Sequence, residues 1–381
     1  MKILFVCNNF YALGNGLSSS ARTTVRYLRQ AGMDVRLLAA GNPDPEGPQP
    51  EFRLEKLHFP LLQPIIEAQT FCFAKSDRKV IRTAVEWADV IHIEDPFVVN
   101  KQAMDIAAGM GKPTVATFHL HPENIMSSLG LGWSRSLNAL LLKSFQKIIY
   151  DKCTDIQCPT ESAAQRLRSF HFKARLHVIS NGMTTDFESC ENNPETDPYM
   201  ILCIGRLSVE KDQYTLLRAM RYSRHARNIR LCFAGSGPKA KSIKKMAHRL
   251  YSEGVLAYEP SFGFYSQHEL NTLSGKAYLY IHCAPVEVEG LSCLEALRTG
   301  VVPVIAESRL SATSQFALDS RSLFAARDPK SLAERIDWWI EHPAERQEMV
   351  PRYAASVSRY DIRDSIQELI EMYRLALTGN K

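Results

Sequence analysis

Three glutamates lie in the stretch "PVEVEGLSCLEALRTG", residues 285–300, which otherwise consists mostly of small and apolar residues. Glu287 and Glu295 have seven residues between them, and Gly290 is one of these. The next segment, "VVPVIA", is typical of a buried strand, so the two glutamates stand at the entrance of what reads as a core helix. Charged side chains are seldom buried without a partner. Their chemistry therefore depends on which polar groups the rest of the chain supplies.

Two cations and a glycine loop are candidates for binding an anion. The segment "CIGRLSVEKD" places Arg206 and Lys211 around a turn after a predicted strand, where they could neutralise a diphosphate. A solvated surface pair is the alternative. In "NNFYALGNGLSSSART", Gly14 and Gly16 precede a predicted helix, whose N-terminus favours anions.

A Gly-x-Gly loop is also found in nicotinamide-dependent enzymes, but two features disfavour that class. The loop is long, from Asn9 to Gly16, before the helix begins. The second predicted strand, "DVRLLAAGN", ends without the acidic residue that binds a ribose in those enzymes.

A histidine follows another apolar strand, in "TVATFHLHPEN". At that position His119 could hydrogen-bond a sugar or tune a leaving group, or it could simply satisfy neighbouring backbone. His119 and His121 form no recognisable metal site, since no suitable set of further ligands is visible. Ser266 and Glu269 have the spacing of a capping box and predict the start of a helix.

Short apolar strands alternate with helical patterns in both halves of the chain, which predicts an α/β protein with two parallel sheets. Residues 186–198, "DFESCENNPETDP", are polar and acidic and are the best linker candidate. The carboxyl ends of the strands should face a cleft between the two domains, where ligands bind. The strand candidates are "KILFVCN", "DVRLLAA", "DVIHIE", "PTVATFH", "DIQCP" and "LHVIS", then "YMILCIG", "IRLCFAG", "VLAYEP", "AYLYIHC" and "VVPVIA".

Composition is that of a soluble globular protein. Of the 381 residues, 45% are hydrophobic and 23% charged, and the formal net charge of +5 does not suggest nucleic-acid binding. Nine cysteines without a Cys-x-x-Cys pair indicate free thiols in a reducing cytoplasm. The start, "MKILFVCNN", reads as a strand rather than a signal peptide, and no apolar run is long enough to span a membrane.

Taken in order, these motifs resemble the retaining glycosyltransferases of family 4. They are Gly-Arg-x4-Lys at Gly205 to Lys211, "GSGP" at 235–238, and Glu-x7-Glu followed by Gly-x-x-Pro-Val. The resemblance covers nearly the whole chain and implies the GT-B fold, with two Rossmann-like doubly wound domains facing a central cleft. It implies an N-terminal acceptor-binding domain at 1–185, the linker at 186–198, and a nucleotide-sugar-binding domain at 199–355. A C-terminal helix within 356–381 is expected to pack back toward the N-terminal domain.

The resemblance also implies a role for each motif residue. Arg206 and Lys211 would bind the diphosphate, and Gly16 would approach it from the other domain. Backbone N–H groups of Leu291 and Ser292, after Gly290, would complete an anion site. The further implied contacts are Glu295 with the ribose hydroxyls, Glu287 with hydroxyls of the donor sugar, and His119 with the sugar near the reacting carbon.

No cofactor and no metal are expected. The chain has no Asp-x-Asp motif, and cationic side chains with a helix terminus can take over the leaving-group role of a divalent ion. The resemblance implies a UDP-sugar donor, UDP-glucose or UDP-galactose, and transfer with retention at the anomeric carbon.

Two departures bear on the donor site. Where common family members read Glu-Pro-Phe-Gly or Glu-Gly-Phe-Gly, this chain reads Glu287-Val288-Glu289-Gly290. Glu289 adds a negative charge near the expected phosphate site, so it should point away or meet a cation such as Arg298 or Arg309. The loop at 307–316 lacks the usual glycine pair, which leaves the identity of the sugar open.

The acceptor is expected to be a membrane lipid such as diacylglycerol or ceramide, because "EGLSCLEAL", "VPVIAES" and "SATSQFAL", within residues 289–318, look similar to bacterial glycolipid-forming members. The segment 124–150 has no acidic residue and carries Trp133, Arg135, Lys143 and Lys147 among apolar residues. Such a segment could rest on anionic lipid at the inner face of the cell membrane, or it could be a core helix with a solvated basic face.

Several alternatives stay open. The acceptor could instead be a surface polysaccharide or a small soluble molecule. A nucleotide-sugar epimerase or phosphorylase shares the fold, although the family 4 spacing argues against it. A catalytically inactive nucleotide-sugar-binding partner subunit is disfavoured by the intact set of Arg206, Lys211, Glu287 and Glu295. No pattern in the sequence fixes an oligomeric state.

Overall fold

The structure, a computed structural model, forms two compact units. The first comprises Met1–Gly182 and Ile362–Lys381, and the second comprises Met183–Asp361. The structure describes every residue except 13, 61, 62, 64, 65, 67–70, 129, 133, 185–190, 380 and 381, together with the side chain of residue 128. The eight cysteines in the described part of the chain are free thiols.

The strands and helices named below are numbered in chain order. The strands are β1 (Lys2–Val6), β2 (Asp34–Ala40), β3 (Phe52–Leu54), β4 (Lys56–Leu57), β5 (Phe73–Ala74), β6 (Val90–Ile93), β7 (Thr114–Thr117), β8 (Asp155–Cys158), β9 (Arg175–Val178), β10 (Tyr199–Ile204), β11 (Ile229–Ala234), β12 (Ser261–Gly263), β13 (Leu279–His282), β14 (Val286–Glu287), β15 (Val302–Glu307), β16 (Leu310–Ser311) and β17 (Leu323–Ala325). The helices are α1 (Gly16–Gln30), α2 (Arg78–Trp87), α3 (Val98–Gly109), α4 (Pro122–Ser128), α5 (Arg135–Ile148), α6 (Glu161–Ser169), α7 (Gln213–Ala219), α8 (Ala240–Ser252), α9 (Gln267–Lys276), α10 (Leu291–Leu297), α11 (Pro329–Glu341), α12 (Pro343–Ser356) and α13 (Ile362–Thr378).

The first unit is built on a seven-stranded parallel sheet in the order β3-β2-β1-β6-β7-β8-β9. In β1, an interior strand of this sheet, four of the five residues are fully buried. Strands covered on both faces need continuous apolar runs, and "KILFV" supplies one. The α1 helix begins where the Asn15 side chain accepts a hydrogen bond from the Leu17 N–H at 3.0 Å.

The second unit has a six-stranded parallel sheet in the order β12-β11-β10-β13-β15-β17, and β14 pairs with β16 separately. The predicted capping box is confirmed, because Ser266 and Glu269 each accept from the other's backbone at the start of α9. The strand predicted at "VLAYEP", residues 255–260, is wrong. Val255 and Leu256 instead donate their N–H groups to Leu250 O, which closes the end of α8, and β12 begins only at Ser261.

Polar residues after the segment 185–190 are fastened to the second unit. Asn192 donates its amide to Ala277 O at 2.9 Å, and the Asn193 N–H donates to Gly275 O at 2.8 Å. The buried guanidinium of Arg346 donates to Asn192 and, at 2.8 Å, to Tyr278 O. The polar composition of this stretch therefore reflects hydrogen bonding to the second unit as well as exposure.

The last helix, α13, packs on the sheet of the first unit. Its apolar face carries Ile366, Leu369, Ile370 and Tyr373, all buried in the same core cluster as β1 residues. Spacings of three and four residues give one such stripe on a helix. Residues more than 350 positions from β1 in the chain thus become part of its core, and Tyr373 contacts a polar side chain of β6 within it.

Candidate functional site

The loops after β10 and β11 place Arg206. They continue to pair beyond the strands, through Gly205 N–H to Ala234 O and Leu207 N–H to Ser236 O, both at 2.9 Å. A Cβ on Gly235 would lie 2.1 Å from Gly205 O, so only glycine allows this approach. The Arg206 guanidinium forms an ion pair with the buried carboxylate of Glu210. The "GSGP" motif therefore fixes the backbone that carries Arg206.

Lys211 and Glu287 form an ion pair through Nζ and Oε2. Lys211 ends a 3-10 turn after β10, while Glu287 lies on β14, and their side chains are 22% and 18% exposed. Burial alone raises the pKa of Glu287, but the positive charge of Lys211, with a smaller contribution from the nearby His282 imidazole, outweighs it and lowers the pKa to about 2. The carboxylate is thus ionised at neutral pH.

The loop at 307–316 holds Glu287 and Gly290 in place. β16 pairs with β14 with Glu287 opposite Ser311. Gly290 has φ +92°, and a Cβ there would lie 2.0 Å from Cγ2 of the buried Thr313. The loop that departs from the family pattern therefore packs against the segment that carries the first glutamate.

The α10 helix follows Gly290 directly. Cys293 and Leu294 donate to Gly290 O at 2.8 and 3.3 Å, so the N–H groups of Leu291 and Ser292 precede the helix's own hydrogen bonds. Glu289, the additional acid of this motif, is buried, with 3% exposure. Of the two cations considered as its partners, Arg298 donates to Thr184 O at 3.0 Å and Arg309 is exposed.

Glu295 lies within α10, and burial raises the pKa of its carboxyl to about 7, opposed in part by a hydrogen bond from Gln267 on α9. The two glutamates of the motif are therefore in different states. Glu287 is an ionised partner of a cation, whereas Glu295 changes its charge near neutral pH.

His282, at the end of β13, is a member of this site that sequence reasoning missed. Its Nδ1 lies 3.1 Å from the Tyr280 hydroxyl, and Nε2 lies 3.7 Å from Glu287 Oε2. Burial lowers the pKa of His282, opposed by Glu287. A histidine in the otherwise apolar run "AYLYIHC" was the available signal.

In the first unit, His119 is 2.6 Å from Glu94, measured from Nε2 to Oε2. Glu94 also lies 3.0 Å from His92 Nε2. Burial alone raises the pKa of Glu94, but His119 and His92 outweigh it and lower the pKa to about 2. Sequence reasoning found His119 but missed Glu94, which follows β6 in "DVIHIEDP".

His121 belongs to a separate structural cluster. Its Nδ1 lies 2.9 Å from Arg166, which also donates to Glu123 at 2.7 Å. Within the described part of the chain, no group of three or more His, Cys, Asp or Glu side chains is arranged to hold a metal ion.

The remaining predicted residues are on the surface of the first unit. Gly16 is the first residue of α1, and a Cβ there would meet open space. On α5, Arg135, Lys143 and Lys147 are exposed. They lie beside exposed Leu137, Leu140 and Ile148, while Leu142 and Phe145 face the core. Trp133 lies outside the described residues.

Two family models match adjacent parts of the chain. The model described as "Glycosyltransferase Family 4" matches residues 14–187, and the model described as "Glycosyl transferases group 1" matches residues 185–356. Together they span residues 14–356, which include most of both structural units but not α13. The chain belongs to the GT-B glycosyltransferases.

Individual proteins are also similar to this chain. A sulfoquinovosyl transferase from Arabidopsis thaliana is 24% identical over 315 residues, which span 80% of this glycosyltransferase but only 58% of the plant protein. The structure of Anabaena HepE in complex with UDP and glucose is 16% identical, covers 98% of this chain and 99% of its own, and has a TM-score of 0.69. The catalytic domain of a Helicobacter pylori cholesterol-alpha-glucosyltransferase is 44% identical over 43% of this chain and 99% of its own, with a TM-score of 0.40.

Removing the cation of the Lys211–Glu287 pair should destabilise the glycosyltransferase. We expect Lys211→Met to lower the free energy of unfolding at neutral pH by about 1–3 kcal/mol, because it leaves a largely buried carboxylate without its partner. The double variant Lys211→Met/Glu287→Gln should recover part of the lost free energy of unfolding, because it removes the unpaired charge. In the parent chain the contribution of this carboxylate is complete above pH 4.5 and is lost as the pH falls toward about 2.

Urea denaturation monitored by circular dichroism measures these free energies. The control is Arg82→Met, which breaks an exposed pair with Glu86 and should cost no more than about 0.5 kcal/mol. Equal losses for Lys211→Met and Arg82→Met would contradict the account.

Proposed function

We propose that this chain is a retaining, metal-independent glycosyltransferase. It moves a hexose, glucose or galactose, from a UDP-sugar to a membrane lipid such as diacylglycerol or ceramide. The observation that carries the proposal is the Lys211–Glu287 pair. It brings together one group suited to a diphosphate and one suited to sugar hydroxyls, close to the start of α10 in sequence.

The donor-binding roles follow from charge and hydrogen-bonding capacity. Arg206 and Lys211 bind the diphosphate, and Lys211 exchanges Glu287 for phosphate oxygens. The freed carboxylate of Glu287 accepts hydrogen bonds from sugar hydroxyls. The N–H groups of Leu291 and Ser292 donate to the diphosphate, and Gly290 leaves room for it to approach. Glu295 accepts hydrogen bonds from the ribose.

The proposed reaction needs no nucleophilic side chain. The oxygen of an acceptor hydroxyl forms a bond to the anomeric carbon on the face from which UDP departs. The bond between that carbon and the diphosphate oxygen breaks, and the departing phosphate takes the hydroxyl proton. Arg206 and Lys211 stabilise the charge on the leaving group, and His119 contacts the sugar near the reacting carbon.

UDP as the nucleotide is supported by the Anabaena protein of the same fold, whose structure contains UDP and glucose. That likeness is one of fold, so the base and the sugar are part of the proposal.

The lipid acceptor is supported by the exposed face of α5. Three cations lie there beside three exposed apolar side chains, of which Leu140 is the most exposed at 65%. A surface of this kind can rest on anionic lipid at the inner face of the membrane. No helix in the described part of the chain is long and apolar enough to cross a membrane.

The experiment is a transfer assay with labelled UDP-glucose, UDP-galactose and GDP-mannose. Vesicles of phosphatidylcholine alone, or with phosphatidylglycerol, carry diacylglycerol or ceramide. We expect UDP release with one UDP-sugar, acceleration by lipid acceptor in anionic vesicles, an α-linked product, and full activity in EDTA. Loss of activity in EDTA would contradict the metal-independent reaction.

The α5 surface has its own control within that assay. Changing Arg135, Lys143 and Lys147 to glutamine should weaken binding to anionic vesicles and leave UDP release without lipid unchanged. Equal binding of the parent protein to neutral and anionic vesicles would rule out the electrostatic contact.

Gly16 provides a test of donor approach. Gly16→Ala should change the free energy of unfolding by no more than about 0.5 kcal/mol, because a Cβ meets open space, yet lower kcat/KM for the donor by about tenfold if backbone approaches the ligand there. Gly109→Ala on α3, which also meets open space, is the matched control and should leave kcat/KM unchanged. Unchanged kcat/KM in Gly16→Ala would contradict the role of Gly16.

Glu295 predicts a pH dependence of nucleoside binding. Its carboxyl, with a pKa of about 7, is protonated below that pH and becomes an acceptor for both ribose hydroxyls above it. Uridine affinity should therefore rise as the pH increases from about 6 to about 8, with the release of no more than one proton. Calorimetry with uridine, which carries no phosphate, measures this. Glu295→Gln should abolish the rise, and a flat profile for the parent protein would contradict the assignment.

A further inference from the structure

A row of four side chains runs through the interior of the first unit. The Tyr373 hydroxyl on α13 is 2.6 Å from Nδ1 of His92 on β6. Nε2 of His92 is 3.0 Å from Glu94 Oε1, and Glu94 Oε2 is 2.6 Å from Nε2 of His119. The side chains of His92, Glu94 and His119 are 0%, 2% and 7% exposed, and Tyr373 is fully buried.

Neighbouring hydrogen bonds fix the protons along this row. Gln157 donates its amide nitrogen to Ile179 O at 3.1 Å, so its oxygen faces Thr117 and accepts that hydroxyl proton at 2.8 Å. The Thr117 oxygen lies 2.8 Å from His92 Nε2 and can only accept there. Nε2 of His92 therefore carries a proton, and in the neutral ring Nδ1 accepts from the Tyr373 hydroxyl.

Glu94 lies between two imidazoles, each with Nε2 toward it. Because His119 has Nε2 at the carboxylate, Nδ1 is the ring nitrogen left to meet a ligand. A carboxylate on the opposite nitrogen of a histidine sets the orientation and tautomer of the ring. A buried carboxylate is costly unless neighbouring polar groups compensate it. The two imidazoles beside Glu94 provide that compensation, and the carboxylate in turn orients their rings.

Asp95, the residue after Glu94, has different hydrogen-bond partners. Asp95 accepts from the Asn8 N–H at 2.9 Å and from the Asn8 side chain at 2.7 Å, and so faces the loop after β1. Burial raises the pKa of Asp95 to about 7, with a further contribution from the charge of Glu94. The two consecutive acids are therefore not interchangeable partners for His119.

We propose that Glu94 is the positioning residue for His119, and that Tyr373 secures the far end of the same row from the C-terminal helix. The proposal rests on the proposed function, in which His119 contacts the donor sugar. It adds that Nδ1 is the contacting atom. It also adds that α13 must be packed correctly to orient the His119 ring, because Tyr373 on that helix contacts His92, 281 positions away in sequence.

The test is a double-mutant cycle on kcat for UDP-sugar turnover. Glu94→Gln should lower kcat by about 10- to 100-fold, because a misdirected ring loses its contact in the transition state. Uridine affinity should stay within about twofold, since Arg206, Lys211 and Glu295 lie in the second unit. The double variant Glu94→Gln/His119→Ala should be no slower than His119→Ala. A double variant whose kcat is lowered by the product of the two single-variant factors would overturn the proposal. An unchanged kcat in Glu94→Gln would overturn it as well.

A gentler variant covers the case in which Glu94→Gln does not fold. Tyr373→Phe keeps the ring and removes only the hydroxyl, and should lower kcat by about 3- to 10-fold without adding to the loss in His119→Ala. Tyr353→Phe is the matched control, because it removes a buried hydroxyl that donates to Ser322 at 2.8 Å in the second unit. Equal effects of the two tyrosine variants on kcat would overturn the role of Tyr373.

Nitrogen-15 spectra of the histidines separate this proposal from the proposed function. Nε2 of His92 should be the protonated nitrogen, Tyr373→Phe should shift its Nδ1 signal, and Glu94→Gln should shift the Nε2 signal of His119. These shifts do not require turnover. A parent protein that turns over no sugar nucleotide would contradict the proposed function, whereas unmoved His119 signals in Glu94→Gln would overturn the positioning role.

Discussion

The ion pair between Lys211 and Glu287 is the contact on which the donor site depends. Each side chain is mostly buried, and each is stable there because the other carries the opposite charge. Without the pair, the loop after β10 and the short strand β14 would each bring an uncompensated charge toward the core. In the proposed function a nucleotide sugar replaces both partners at once, phosphate for the carboxylate and sugar hydroxyls for the ammonium. In that proposal, each partner of the pair occupies the position that a group of the nucleotide sugar takes on binding.

The surrounding fold makes this pair possible through parallel sheets. Strands β10 and β13 end at the same edge, so Arg206 follows one and His282 ends the other within a single unit. Gly235 allows two loops to touch, and Gly290 lets α10 start against Thr313. The first unit repeats the principle, with Glu94 and His119 after neighbouring strands β6 and β7. Polar side chains at strand ends are thus collected by topology rather than by proximity in sequence.

Sequence reasoning went furthest where local patterns decide the outcome. The parallel α/β class follows from continuous apolar runs, and the Ser266–Glu269 cap follows from spacing alone. Glu94 and His282 were missed because each stands at the end of a short buried strand with no local motif around it, and its partner lies elsewhere in the chain. The strand expected at 255–260 failed because Val255 and Leu256 close the end of α8. The motif also could not show that Lys211 and Glu287 contact each other.

The most direct test of the central claim is a crystal structure of the protein with UDP-glucose or UDP-galactose bound. The account predicts that the Lys211 ammonium leaves Glu287 and lies within hydrogen-bond distance of a diphosphate oxygen. Glu287 should then accept from sugar hydroxyls and Glu295 from the ribose. A nucleotide sugar bound elsewhere, with the Lys211–Glu287 pair intact, would contradict it.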